Sequence, residues 1–339
     1  MNKFKLLKLE KGIYQQAHEQ GVSITEILEQ LDSSKNYGDT GLDAFERQLA
    51  ARGLVIQGPQ SVTLDQFYDP SNRILFPEFI NREIRAGMLM SKIQLQVADL
   101  IATTTEIDSG VYDAAFLDNT QDFHMKPIGE GGKFPKLSIT TTKKPVTLRK
   151  HGLKLSETYE HRRRIKANLF AVILRLIGQY LMLDMVEDAV DVEINGNTGN
   201  SNAASTPAVG TGINYDKLVD FFFEFDPYEA NLLVAPIAGL KAILKLSEFK
   251  DPQVGWDFQR TGNLVTPMGM TMRKHNTTAL TDKLMGVDKR FSLEQVNERG
   301  SYLVETDKII DGQWNEIAIS LVTGFSKIIA DSAQVWDYS

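Results

Sequence analysis

Residues 162–202 read RRRIKANLFAVILRLIGQYLMLDMVEDAVDVEINGNTGNSN: three arginines, a long apolar run, an acidic stretch and then a spill of Asn, Gly and Ser. The apolar run from Leu169 to Leu183 is fifteen residues long and is interrupted by Arg175 and Gln179. A membrane span needs about 20 largely uncharged residues, so the pattern predicts a buried helix instead. Because the run is apolar on most sides, the helix needs cover from strands or neighbours on several faces. Ser156 with Glu157 and Glu160 marks its start. Continued to about Val192, the helix is roughly 50 Å long at 1.5 Å per residue. Arg162, Arg163 and Arg164 then fall in its first turns, where the helix dipole disfavours cations. They are expected to answer carboxylates on other elements or on a neighbouring copy. The Asn/Gly/Ser segment that follows reads as a mobile loop.

Upstream of this helix, residues 118–155 combine Gly129, Gly131, Gly132 and three prolines with β-formers such as Leu137, Ile139, Val146 and Leu148. This predicts an extended hairpin arm around a Gly/Pro tip. A polar two-stranded arm cannot bury its own face, so it is expected to lie on another surface, that of another subunit. Downstream, YDKLVDFFFEF reads as a helix and ANLLVA as a buried strand. PIAGLKAILKLSEF reads as a helix with Pro236 at its first turn, and NLVTPMGMTMR as a strand broken by Pro267. Together they form a compact α/β unit. Near the C-terminus, two β-rich runs flank Asp311-Gly312, a strong hairpin signal. These strands are expected to cover the long helix.

The N-terminal sixty residues read as a separate helical piece. It has a capping box at Ser23/Glu26, an N-cap at Asp43 and a C-terminal Gly53. So small a bundle should lean on something else. In the next segment Pro77 and Glu78 start a helix with Phe79, Ile80 and Ile84 on one face, and beyond Gly87 the pattern turns strand-like.

The chain has no cysteine, which removes disulfides, thiolate metal sites and a Cys nucleophile. The N-terminus MNKFKLLKLEKG lacks a secretory h-region and cleavage site. Net charge is −7, but residues 124–166 carry twelve Lys and Arg against three Glu. A basic arm on an acidic body suits self-association between copies, nucleic acid or an acidic partner, or simply a solvated face. No G-x-S-x-G, Walker A or H-E-x-x-H motif is present. The Gly-rich stretches at 129–132 and 196–200 fit loop tips better than phosphate cradles. None of the five histidines pairs at i, i+3 or i, i+4, which argues against a metal-binding helix face. Asp184, Glu187, Asp188 and Asp191 share a helix face that suits either a divalent cation or the basic arm of another copy. The arginine cluster has no interleaved aromatic residue to stack on bases, so specific nucleic-acid recognition is not supported.

The order of these parts resembles that of tailed-bacteriophage major capsid proteins with the Hong Kong 97-type fold. The resemblance rests on NRILFPEFINREIRAG (72–87), VTLRKHGLKLSETYE (146–160) and NLLVAPIAGLKAILKLSEFKD (231–251). It continues through the block from Leu284 to Trp336, with Asp331 and Ala333 in its tail. It covers about residues 67–339. It implies an α+β fold with a long spine helix, an extended β-hairpin arm, a peripheral sheet and an α/β axial domain. The expected divisions are 1–60, an N-terminal helical extension; 61–117, an N-arm and the start of the peripheral domain; and 118–155, the arm. They continue as 156–213, the spine and following loop; 214–297, the axial domain; and 298–339, peripheral strands and tail. In some relatives an N-terminal region is a built-in scaffold that is cleaved; a chain running from Met1 is expected to keep it. The self-crosslinking Lys/Asn chemistry of the type member is carried to no residue here.

The implied function is a structural shell protein without enzymatic activity, cofactor or metal. It would assemble through pentamers and hexamers around a genome, in the virion, after assembly in a host bacterial cytoplasm. Implied partners are copies of itself, with scaffold, portal and decoration proteins and non-specifically touched DNA, and no membrane. Candidate intersubunit residues are Lys126, Lys133, Lys136, Lys143, Lys144, Arg162, Arg163, Arg164, Asp184, Glu187 and Asp188. The alternatives are an encapsulin-like nanocompartment shell and, from another class, an α/β nucleic-acid-binding protein or enzyme.

Overall fold

The structure is a computed structural model of the 339-residue chain. It describes residues 4–10, 12–38, 40–108, 110–116, 124–134, 136, 140–141, 145–196, 203–250 and 267–339. Helices α1 (Gly12–Gln20), α2 (Ile24–Leu31), α3 (Ala44–Ala51) and α4 (Phe76–Met88) come first. They are followed by α5 (Val97–Leu100), β1 (Ile101–Ile107), β2 (Ala115–Phe116), β3 (Thr140–Thr141) and β4 (Arg149–Thr158). Next come α6 (Tyr159–Arg164), α7 (Ala167–Asn195), α8 (Tyr215–Phe223), β5 (Leu232–Ala235), α9 (Ile237–Leu244) and α10 (Ser247–Lys250). The chain ends with β6 (Thr271–Lys274), β7 (Lys283–Val287), β8 (Leu293–Glu298), β9 (Leu303–Ile309), β10 (Trp314–Lys327) and β11 (Ala333–Asp337). This is the expected α+β class. The residues gather into two compact units. One comprises Met1–Met90, Gly152–Tyr180 and Tyr302–Leu321; the other comprises Ser91–His151, Leu181–Ser301 and Val322–Ser339.

In the first unit, the N-terminal helices start where the sequence places them. Ser23 and Asp43 each close a capping box with Glu26 and Glu46, and Gly53 takes the left-handed conformation, φ +70°. These helices dock on the segment around α4. Arg82 reaches Asp43 (2.7 Å), Thr25 (2.6 Å) and Glu78 (3.1 Å), and the Tyr14 hydroxyl donates to the Ile74 carbonyl (2.6 Å). Pro77 opens α4, which buries Phe79, Ile80 and Ile84. Phe67, Phe76, Phe79 and Phe170 stack with ring centroids 5.0–6.5 Å apart, tying α4 to α7.

The long helix differs from its expected form at its start. Strand β4 runs through Ser156 and Glu157, and it is Thr158 that caps the short helix α6. Residues 62–64 then pair with 165–167: Leu64 N–H donates to Ile165 O (3.0 Å), and Ala167 N–H to Val62 O (2.9 Å). That pairing holds Ile165 extended and separates α6 from the 29-residue α7. The three arginines therefore occupy the last turn of α6, where the dipole favours them, and not the first turns of the spine.

The end of β10 meets α7 at Lys327 and Glu193, and α4 is a cover that the sequence did not announce. In the first unit it is α4 that packs directly on the helix, through two glycines. A Cβ added at Gly87 would lie 2.6 Å from the Arg175 Cα, and one at Gly178 would lie 2.9 Å from the Ile84 carbonyl carbon. The two backbones approach more closely than any side chain permits. The C-terminal strands form the expected hairpin, β9 pairing antiparallel with β10 from Ile309↔Trp314 to Leu303↔Ser320. Its loop is four residues long. Among the described loop residues only Gln313 has positive φ (+55°), so the type I′ turn, which needs positive φ at both Asp311 and Gly312, does not form.

In the second unit β1 pairs parallel with β8, and β8 antiparallel with the end of β10. A second sheet has the order β11-β7-β5-β6. β5 is fully buried between the sheet's own neighbours and a core that includes Leu218, Phe221, Ile243, Met272, Leu284 and Trp336. The helices and buried strand read from YDKLVDFFFEF, ANLLVA and PIAGLKAILKLSEF are present as α8, β5 and α9, with one addition. Residues 333–337, read as a tail, form β11 and pair with β7, and the Trp336 indole donates to Gly210 O (2.8 Å). After Gly87 the chain is strand-like only locally, where Gln94 bridges Lys274 and Leu95 N–H donates to Lys274 O (3.0 Å); α5 follows, and the first full strand begins at Ile101. Among the described residues of the arm and its approach, β2 and β3 pair over two residues each, and Val146 donates to Tyr112 O (2.7 Å). Residues 137–139 and 142–144, part of the predicted second strand, lie outside the described residues, as do 197–202 of the predicted loop and 263–266 of the strand before Pro267.

Candidate self-assembly surfaces

On α7 the side chains of Leu169, Val172, Leu176 and Tyr180 are 56%, 57%, 52% and 61% exposed. Their spacing, i, i+3, i+7 and i+11, puts them on one helix face. That face lies opposite the turns gripped by α4, where Phe170, Ala171, Leu174 and Gly178 are buried. By length and composition α7 passes as a membrane span. However, its Arg175 is ion-paired with Glu83 at 2.6 Å and one side is already packed on protein. Beside the stripe is an open groove of about 440 Å³ lined by Ile56, Gln57, Gly58, Asn168, Leu169, Ala171, Val172 and Arg175.

The same unit carries a convex apolar feature. At the β9–β10 tip Ile310 is 81% exposed, with Ile309 and Trp314 about 40% exposed. The Trp314 ring lies over Gly312, where any Cβ would strike it. Asp307, Lys308 and Asp311 flank these residues and are exposed.

The predicted contact residues separate into two groups. Arg162 is committed inside its own unit: it pairs with Asp65 at 2.7 Å and lies over the Tyr68 and Tyr159 rings. Arg163 and Arg164 are exposed. Lys133 and Lys136 are exposed, as is Lys126, on an arm that also presents Met125 and Phe134 almost fully to solvent. Lys143 and Lys144 lie outside the described residues. Asp184 is exposed. Glu187 accepts from His275 (3.0 Å) and from the Thr277 hydroxyl. Asp188 is bound by Arg149 and, at 2.8 Å, by His151. Asp188 and Asp191 of α7 thus take the base of the arm of their own chain. Burial pushes the His275 imidazole below its ordinary pKa, against the pull of Glu187.

One buried pair sits at the end of α7. Lys327 and Glu193 are both fully buried, Nζ to Oε1 3.5 Å, with Lys327 donating to the Glu193 backbone carbonyl (2.8 Å) and Ser292 to its carboxylate (2.7 Å). Burial raises the Glu193 pKa and lowers that of Lys327, each resisted by the other's charge. This pair is enclosed by protein and serves the fold. Among the described residues no group of three His, Asp or Glu is placed to hold a metal.

Sequence reading missed the open stripe and the hairpin tip. The stripe spacing is present in the sequence, but apolar residues on the other faces of α7 mask it.

No protein-family model matches the chain, and no curated protein matches it. Solved structures do. A chain of Microbacterium phage Oxtober96 aligns at 13% identity with TM-score 0.51, over 73% of this chain and 92% of that one. A chain from the capsid of an empty GTA particle aligns at 11% with TM-score 0.51, over 74% and 91%. The SrpI encapsulin of Synechococcus elongatus aligns at 11% with TM-score 0.46, over 73% and 91%. The fold is the Hong Kong 97-type fold of tailed-phage major capsid proteins.

Proposed function

We propose that this chain is a major capsid protein of a tailed phage or prophage, a structural shell subunit that assembles through pentamers and hexamers into an icosahedral virion shell around a genome. The observation that carries the reading is the fold, shared over more than nine-tenths of the GTA capsid chain. Supporting it are several exposed apolar features on one chain: the α7 stripe, the β9–β10 tip and the arm. Features of that kind mark interaction surfaces, and heterologous contacts between unlike patches generate rings and closed shells. Other copies of the chain are the main partner; scaffold, portal and decoration proteins are further ones, and DNA would be touched through charge alone. Assembly would take place in the host cytoplasm. The test is sedimentation and negative-stain microscopy of the purified chain, alone and with the products of adjacent genes. Closed shells or five- and six-membered rings are expected. A monomer under every condition refutes the proposal, and shells loaded with a cargo enzyme in place of nucleic acid refute the viral part of it.

A further inference from the structure

We propose that the groove beside α7 is the seat for the β9–β10 hairpin tip of a second copy of this chain. The inference rests on the shell reading above and names one of its contacts. The groove is concave and apolar at Ile56, Leu169, Ala171 and Val172. The cation at its edge is Lys166, exposed, one turn before Leu169 and donating to the Pro59 carbonyl (2.9 Å) next to Gly58; Arg175 also lines the groove, paired with Glu83.

Two apolar projections on the chain are candidates to fill it. The arm tip presents Met125 and Phe134, but it carries Lys126, Lys133 and Lys136 against one Glu130. Cations would therefore meet cations. The hairpin tip presents Ile310 and Trp314 with Asp307 and Asp311 beside them, against Lys308. Its charge is complementary to the groove margin, and complementary charge sets partner choice and register. The tip is also pre-shaped, since β9 and β10 pair without a break from Ile309↔Trp314 and Trp314 is set against Gly312. Docking orders little that is not ordered already. Tip and groove belong to the same compact unit, and both are open to solvent within it. The occupant must come from another molecule, and a contact between two unlike patches of one chain is heterologous.

The absence of cysteine makes the test clean. Ile310→Cys and Val172→Cys each place one thiol at an exposed position. The two variants are assembled separately and mixed, and then treated with a short bis-maleimide that tolerates small errors of register. Covalent dimers in the mixture, with little in either variant alone, are expected, and the double variant should give a ladder. Asp311→Lys should slow crosslinking roughly fivefold, the upper range for an exposed ion pair. Val172→Cys crosslinking to itself as fast as the mixture would mean that the helix stripe packs against its own copy, and overturns the proposal. So does the absence of crosslinks in samples where microscopy shows rings or shells, which leaves the shell reading intact. Absence of any assembly removes both.

Discussion

The crossing of α4 and α7 gives the sharpest test of how this chain is built. Gly87 and Gly178 let the two helix backbones touch. A methyl at Gly178 would lie 2.9 Å from the Ile84 carbonyl carbon and 3.1 Å from the Met88 nitrogen, where ordinary contacts are about 3.5–4.0 Å. No rotamer relieves the overlap, because both partners are backbone. The helices must part by roughly 1 Å, and overpacking of that order costs about 1–3 kcal/mol, here toward the upper end. Against this, Ala in a helix interior is better than Gly by about 1 kcal/mol. Gly178→Ala should therefore destabilise the chain by about 2 kcal/mol net. Gly87→Ala meets the other helix at 2.6 Å and should cost as much. One parting of the helices accommodates both methyls, so the double variant should cost less than the sum by about 1 kcal/mol. Urea unfolding of unassembled subunits reads this as a lower midpoint at unchanged slope. A Gly178→Ala variant at or above wild-type stability would show that the close crossing does not exist, because propensity would then act alone.

Three further outcomes follow from the charged groups. Arg162→Glu should lower subunit stability by about 2 kcal/mol, since it breaks a charge-assisted contact and a stacked site, whereas Arg163→Glu with Arg164→Glu should leave melting unchanged and weaken assembly in sedimentation; equal melting losses would contradict the division. Lys327→Met should cost about 3–5 kcal/mol by leaving Glu193 buried without its partner, and the Lys327→Met, Glu193→Leu double variant should recover most of it in the same unfolding assay. The buried His275 has a folded pKa below its unfolded value of about 6.5, so its contribution is complete above pH 6.5 and is lost as pH falls through the folded value. Urea midpoints at pH 7.5 and 5.5 should therefore fall more for wild type than for His275→Gln, and identical slopes would remove His275 as the cause.

What the sequence made legible was local. Ser23, Asp43 and Pro77 signal helix starts through a few atoms each, and all three signals hold. The buried strand LLVA and the hairpin around Asp311 are likewise local patterns. The break before α7 was not legible, because it depends on residues 62–64 pairing with 165–167 across a hundred positions. No Pro or Gly in RRRIKANLF marks the break, and only tertiary hydrogen bonds end the short helix at Arg164. Gly87 and Gly178 likewise gave no sign of meeting: each is one glycine in a helix, α4 amphipathic and α7 apolar, and the reason for both is the other. The arginine triplet divides for the same reason. Arg162 finds Asp65, Tyr68 and Tyr159 only once that pairing is made, while its two neighbours are left facing solvent.

The size of the candidate contact has a consequence for how such a chain would assemble. Specific protein interfaces bury about 1,200–2,000 Å², and a hairpin tip of a few residues in an open groove buries only a fraction of that. One such contact holds two copies weakly and briefly. A heterologous contact is repeated at every subunit, and once a ring closes each further contact forms at high effective concentration. Assembly by this route should show a sharp concentration threshold, with monomers and closed particles and little between them. A tip that bound its groove strongly in the first encounter would instead trap open chains of wrong curvature. The acidic flanks of the tip and the basic margin of the groove fit the weaker regime, because exposed ion pairs steer and register while contributing at most about 1 kcal/mol each. Raising salt should therefore shift the threshold to higher protein concentration without changing the particle formed, and sedimentation across a salt series reads both. A change of particle size at constant composition would mean that the charges set geometry and do not merely steer.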